Sequence, residues 1–151
     1  MNFLAELTAV LRALDAFGVD YALCGAAALA VHGVPRATQD IDLLARADRL
    51  EQVRRAVAAC GFVLEALPMT FAASGITVHR FTKIVDAHPF MVDILEAEGP
   101  LQAVWDTRQR LPWSDGEVGV VSRQGLITMK LAAGRPQDIA DLKRLEDLER
   151  G

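Results

Sequence analysis

Phe3, Leu7, Val10, Leu14 and Phe17 recur at three- and four-residue intervals, the spacing of one helix face, and Gly18 is a natural stop. "DYALCG" (20–25) reads as a short buried strand that runs through Gly25 into an alanine-rich helix ending near Gly33. "PRATQD" is a loop, and "IDLLA" (41–45) is a strand that starts there or at Asp40. Leu50, Val53, Val57 and Cys60 predict the next helix, closed by Gly61. "FVLEAL" (62–67) and "ITVHRFTKIV" (76–85) predict strands, with "PMTFAASG" between them, and "FMVDILEA" (90–97) predicts another. "GPLQAVWDT" begins a short helix with Pro100 in its first turn. "RQRLPW" and "EVGVVS" are extended pieces around an "SDG" turn. Ser122 is placed to cap a helix over 123–134, Gly134, Arg135 and Pro136 break it, and Ile139, Leu142, Leu145 and Leu148 mark a last helix. This order predicts an α/β or α+β domain on a mixed sheet. No linker interrupts it, so residues 1–151 read as a single domain.

Composition narrows this picture. The 151 residues are 52% hydrophobic, enough for one domain with a real core and against disorder. Cys24 and Cys60 show no metal-ligand spacing and read as reduced core thiols of a cytoplasmic protein. The N-terminus lacks the basic region and cleavage site of a signal peptide. "YALCGAAALAVHGV", the longest apolar run, is too short to cross a bilayer and carries His32, so no membrane partner is expected. The net charge of −4 argues against coating nucleic acid, although a local basic patch could still hold one.

Asp40 and Asp42 lie at i and i+2 in an apolar strand, so they project together. Two like charges on one face need a positive partner. A divalent cation is one solution, since Mg²⁺ takes carboxylates together with substrate phosphates, and Asp93 in "VDIL" is the best third carboxylate. The plainer solution is that Asp40 caps a turn and Asp42 pairs with an arginine. Upstream, Gly25 at a strand-to-helix turn would let backbone N–H groups approach a phosphate; it is equally read as a tight turn. His32, His79 and His88 share no ligand spacing, although His79 and Arg80 could line a cleft. Asp138 and Asp141 share a helix face and read as structural, pairing with Lys130 or Arg135.

Gly25, a helix, and Asp40-x-Asp42 together resemble the nucleotidyltransferase superfamily with the DNA polymerase β-like fold. "HGVPRATQDIDLL" is similar more narrowly to AbiEii-type toxin nucleotidyltransferases, with Arg36 and Thr38 just before the aspartates. "MKLAAGRPQDIADL" resembles the C-terminal segment of that group. The resemblance implies a polymerase β-like core with a C-terminal helical segment. It implies Mg²⁺ or Mn²⁺ on Asp40, Asp42 and Asp93 as the catalytic set. It assigns Gly25, Ala26, Arg36, Thr38 and Lys130 to the nucleotide. The reaction implied is attack by an acceptor hydroxyl on the α-phosphate of a nucleoside triphosphate. The acceptor would be a tRNA or other RNA end, a protein, or a small molecule such as an aminoglycoside. The narrower likeness tilts toward a toxin with a cognate antitoxin. Ala26 departs from the serine or glycine usual after Gly25. That departure leaves a second reading, a binding or partner module that keeps the fold without catalysis.

Overall fold

The computed structural model describes residues 2–34, 37–113 and 116–150. Helix α1 (Phe3–Ala16) forms on the predicted spacing, and the Asn2 side chain caps it by accepting from the Leu4 N–H. Strand β1 (Ala22–Cys24), helix α2 (Gly25–Val31), strand β2 (Asp40–Ala45) and helix α3 (Leu50–Ala59) follow. Next come β3 (Leu64–Glu65), β4 (Met69–Thr70), β5 (Thr77–Val85) and β6 (His88–Glu96). Helix α4 (Gln102–Asp106), the hairpin β7 (Gln109–Trp113) and β8 (Gly116–Val120), then α5 (Arg123–Ala133) and α6 (Pro136–Arg150) complete the chain. Ser122 caps α5 through the Gly125 N–H, and Gly134 ends it in the left-handed conformation, as read from the sequence. Of the "SDG" turn, Ser114 and Asp115 lie outside the described residues. No described helix is long and apolar enough to cross a membrane.

The strands form one mixed sheet in the order β3-β5-β6-β2-β1-β8-β7, with β4 also on β5. The expected α/β architecture, a mixed sheet flanked by helices, is the observed one. β2 lies at its centre, parallel to β6 and antiparallel to β1. Its side chains alternate: Ile41 and Leu43 are buried in the core, while Asp40 and Asp42 point to the other face and keep some exposure. On the core side, α1 and β5 are tied by Lys83, whose Nζ donates to both Glu6 carboxylate oxygens at 2.9 and 3.1 Å and to the Cys60 carbonyl at 3.0 Å.

Three expectations need correction. The strand over 62–67 shrinks to Leu64–Glu65, and a further two-residue strand lies within "PMTFAASG". Val63, Leu64, Leu67 and Met69 are exposed, so little burial rewards longer pairing at this edge. The strand expected at Phe90 begins at His88, because a two-residue turn joins β5 to β6. Asp86 and Ala87 both have positive φ, 51° and 65°, as a type I′ hairpin requires. On α6, Ile139 and Leu148 are exposed, while Asp138 and Asp141 are buried. Leu145 alone of the stripe is fully buried, and Asp138 and Asp141 pair with Lys130 of α5.

Candidate active site

Register sets the site. Cys24 on β1 stands opposite Asp42 on β2, Asp42 opposite Asp93 on β6, and Asp93 opposite Arg80 on β5. Paired residues on neighbouring strands project to the same face. Cys24, Asp42, Asp93 and Arg80 therefore form one row across four strands, with Asp40 one step along β2 on the same side. The sheet thus brings the three predicted carboxylates to one face.

Their electrostatics follow from that crowding. Burial first, then the charges of Asp93 and Asp40, push the Asp42 carboxyl up to about 7, with only partial relief from Lys130 and Arg80. Asp40 is raised in the same sense, by burial and then by Asp93. The Cys24 thiol is pushed well up, chiefly by burial and then by Asp42. It is an inert neighbour rather than a nucleophile.

The positive partners are Arg80 and Lys130. Arg80 closes on Asp93 in a fork, Nε to Oδ1 and Nη2 to Oδ2, both 2.8 Å. The arginine that the plainer reading set against Asp42 lies on Asp93 instead. Lys130 is buried and lies 3.3 Å from Asp138 Oδ1 and 3.2 Å from Asp141 Oδ2. Arg135 completes this cluster, its Nε donating to Asp138 Oδ2 at 2.7 Å. The structural role expected of Asp138 and Asp141 is the one observed. They fix Lys130 beside the face that carries Asp42.

The turn that precedes β2's partner helix is equally constrained. Gly25 has φ +65°, and a Cβ there would lie 2.2 Å from Asp42 Oδ2. Only glycine allows the α2 backbone this close to the carboxylate. Gly25 and Ala26 remain partly exposed, while Ala27 beyond them is buried. Thr38 holds the approach to β2: its Oγ1 accepts from the Asp40 N–H at 3.0 Å. Arg36 lies outside the described residues. His79 does not line a cleft with Arg80, because successive strand residues face opposite ways. It is buried on the other face and hydrogen-bonded to Glu96 at 2.7 Å.

Among the described residues, no three His, Cys, Asp or Glu side chains form a ready-made ion cage. Asp93 is held by Arg80 instead. The donor set nevertheless fits a hard dication: three carboxylates on one face, mutually repelling, with Asp42 raised by burial and then by its acidic neighbours. A concavity of about 280 Å³, lined by Asp20, Tyr21, Arg108 and Arg110 among others, lies beyond the opposite end of β1 from Gly25. It contains none of these carboxylates.

The family profile of aminoglycoside-2″-adenylyltransferase matches residues 6–124, which span every member of this row. The chain belongs to that family. It is thereby a member of the nucleotidyltransferase superfamily; a particular closeness to AbiEii-type toxins is not among the matches. No curated protein matches in sequence. Solved structures share the adenylyltransferase fold. A candidate nucleotidyltransferase from Thermotoga maritima aligns over 96% of this chain and 92% of its own, with TM-score 0.69 and 19% identity. ANT(2″)-Ia in complex with adenylyl-2″-tobramycin aligns over 96% and 87%, with TM-score 0.62 and 18% identity. The lincosamide antibiotic adenylyltransferase LnuA, lincomycin-bound, aligns over 94% and 95%, with TM-score 0.63 and 16% identity.

Arg80 is the site residue whose role the sequence reading missed. Its signal was the Asp86–Ala87 turn: a two-residue loop fixes the hairpin register and so sets Arg80 against Asp93.

Proposed function

We propose that this chain is a metal-dependent adenylyltransferase that moves AMP from ATP to a hydroxyl of a small, cationic acceptor such as an aminoglycoside. The row of Asp42, Asp93 and Arg80, with Asp40 beside it, carries this reading in a chain of the aminoglycoside-2″-adenylyltransferase family. Asp40 and Asp42 would hold Mg²⁺ or Mn²⁺ against the triphosphate, and Asp93 a second ion. Such ions, when bound, polarise phosphoryl oxygens and ease ionisation of a hydroxyl. Gly25 and Ala26 would offer backbone N–H groups to the phosphates, with Thr38 holding the approach to β2. Arg36 is proposed for the nucleotide on resemblance alone. Lys130 would supply a fixed positive charge behind Asp42. Asp93 would orient the acceptor hydroxyl; the hydroxyl gives up its proton to water, its oxygen bonds to the α-phosphorus as the bond to pyrophosphate breaks, and pyrophosphate leaves.

The chain's net charge of −4 favours a cationic acceptor over a polyanionic one. A second reading keeps a toxin with an antitoxin partner and a tRNA or protein acceptor. It is supported by the "HGVPRATQDIDLL" and "MKLAAGRPQDIADL" runs. One experiment separates the two. The protein is incubated with α-labelled ATP, Mg²⁺, and in turn aminoglycosides, lincosamides, total RNA and total protein. Label on an aminoglycoside is the expected result. Label on RNA or protein would replace this reading with the toxin, and no label on any acceptor would leave a non-catalytic module.

Ala26 offers a graded check. A serine hydroxyl there would add one donor to a charged phosphate, worth roughly 1.5–3 kcal/mol. Ala26→Ser is therefore expected to bind ATP about ten- to a hundredfold more tightly, or to transfer faster by that factor. Stability should be almost unchanged, since serine is well tolerated at a helix start. Equal affinity and equal rate in the two folded proteins would mean that this turn does not meet the phosphates.

A further inference from the structure

We propose that Arg80 is a built-in, displaceable counter-cation, and that it makes metal binding at Asp93 depend on nucleotide. This rests on the reading of the three aspartates as metal ligands. Both Asp93 oxygens are taken by one guanidinium, each at 2.8 Å, so an ion that reaches Asp93 must first displace Arg80. Displacement is feasible because the pair is lopsided. The Arg80 side chain is 47% exposed and that of Asp93 only 11%, so the guanidinium can swing into water while the carboxylate stays. Among the described residues, the buried cation beside Asp42 cannot do this. Lys130 is 8% exposed and bound between Asp138 and Asp141. One positive charge is therefore fixed and the other is mobile.

A triphosphate gives Arg80 somewhere to go. The planar guanidinium fork matches phosphate oxygens as well as it matches a carboxylate. An arriving nucleotide supplies Arg80 with a new anion and releases Asp93 to the ion. The ion and the nucleotide then favour each other's binding by the same factor. Without nucleotide, Arg80 occupies Asp93 and leaves the row only weak metal binding.

Electron paramagnetic resonance of Mn²⁺ tests this, because it distinguishes the free, nucleotide-held and protein-held ion. Wild type is expected to bind Mn²⁺ weakly alone and about tenfold more tightly with a non-hydrolysable ATP analogue, a usual size for coupled sites. Arg80→Gln is expected to bind Mn²⁺ alone about tenfold more tightly than wild type, and to gain little from the analogue. Arg80→Lys, which keeps the charge but loses the fork, should fall between them. A merely structural arginine would not raise metal affinity when removed. Mn²⁺ binding by both folded variants that equals or falls below wild type overturns the proposal and leaves the metal reading standing. Wild type that binds no Mn²⁺ in either condition overturns the metal reading and the proposal together.

Discussion

Asp42→Asn is expected to cripple the proposed adenylyl transfer and, in the same molecule, to stabilise the metal-free protein above neutral pH. The Asp42 carboxyl is raised to about 7 by burial and by its two acidic neighbours. It holds its proton more tightly in the folded chain than in the unfolded one. Its contribution to stability is complete below about pH 4, the unfolded value, and is lost as pH rises through about 7. A shift of this size corresponds to up to about 4 kcal/mol at pH 8. Asparagine carries no charge at any of these pH values. Urea denaturation in EDTA should therefore show the variant and wild type alike near pH 4 and the variant ahead at pH 8. Mg²⁺ should restore wild type by mass action and leave the variant unmoved. Transfer should fall by more than about a hundredfold, since even outer-shell partners of metal ligands typically cost 10–100-fold. An Asn variant less stable than wild type at both pH values, or one that still responds to Mg²⁺, would remove Asp42 from the proposed ligand set.

The second large effect is expected at Gly25. Gly25→Ala meets two obstacles. A Cβ at φ +65° costs roughly 1–2 kcal/mol in the backbone alone. The same atom would sit 2.2 Å from Asp42 Oδ2 and 2.9 Å from its Cγ, so the carboxylate has to move. Overpacking adds about 1–3 kcal/mol, for a total of about 2–5 kcal/mol. Gly18→Ala is the matched control: its φ is +70° and nothing lies within 4 Å of the added atom. It should show the backbone cost only, roughly 1–2 kcal/mol. In an Asp42→Gly background, the excess cost at Gly25 should disappear. Equal losses for Gly25→Ala and Gly18→Ala in urea would mean that α2 does not press against Asp42.

Much of this architecture is local in origin. The 3.6-residue spacing of Leu7, Val10 and Leu14 fixes the buried face of α1 within the helix itself. Ser122 and Gly134 bracket α5 through bonds that span a few residues. Alternation along "DIDLLA" places Asp40 and Asp42 on one side whatever their neighbours are. The short edge strands were not legible, because exposed residues such as Leu67 and Met69 carry the same apolar signal as buried ones. The same ambiguity touches α6, a helix the spacing did predict: Leu145 of its stripe is buried, while Ile139 and Leu148 are left exposed.

By itself, then, the sequence determined the helices, the central strand, the glycine turn and the presence of paired acids on one face. These depend on periods, caps and steric rules that act over a turn or a strand. Which cation answers those acids was decided by tertiary structure alone. Arg80 reaches Asp93 because the I′ turn at Asp86–Ala87 sets the hairpin in register; a slip of one residue would point it into the core side instead. Lys130 finds its partners in a buried place because α6 folds back to bring Asp138 and Asp141 against it. Burial, too, is a property of the packed sheet, and it is burial first that lifts Asp42 to about 7. Charges interact through space over a few ångströms and through whatever excludes water around them. No spacing along a chain carries that information until the strands have paired.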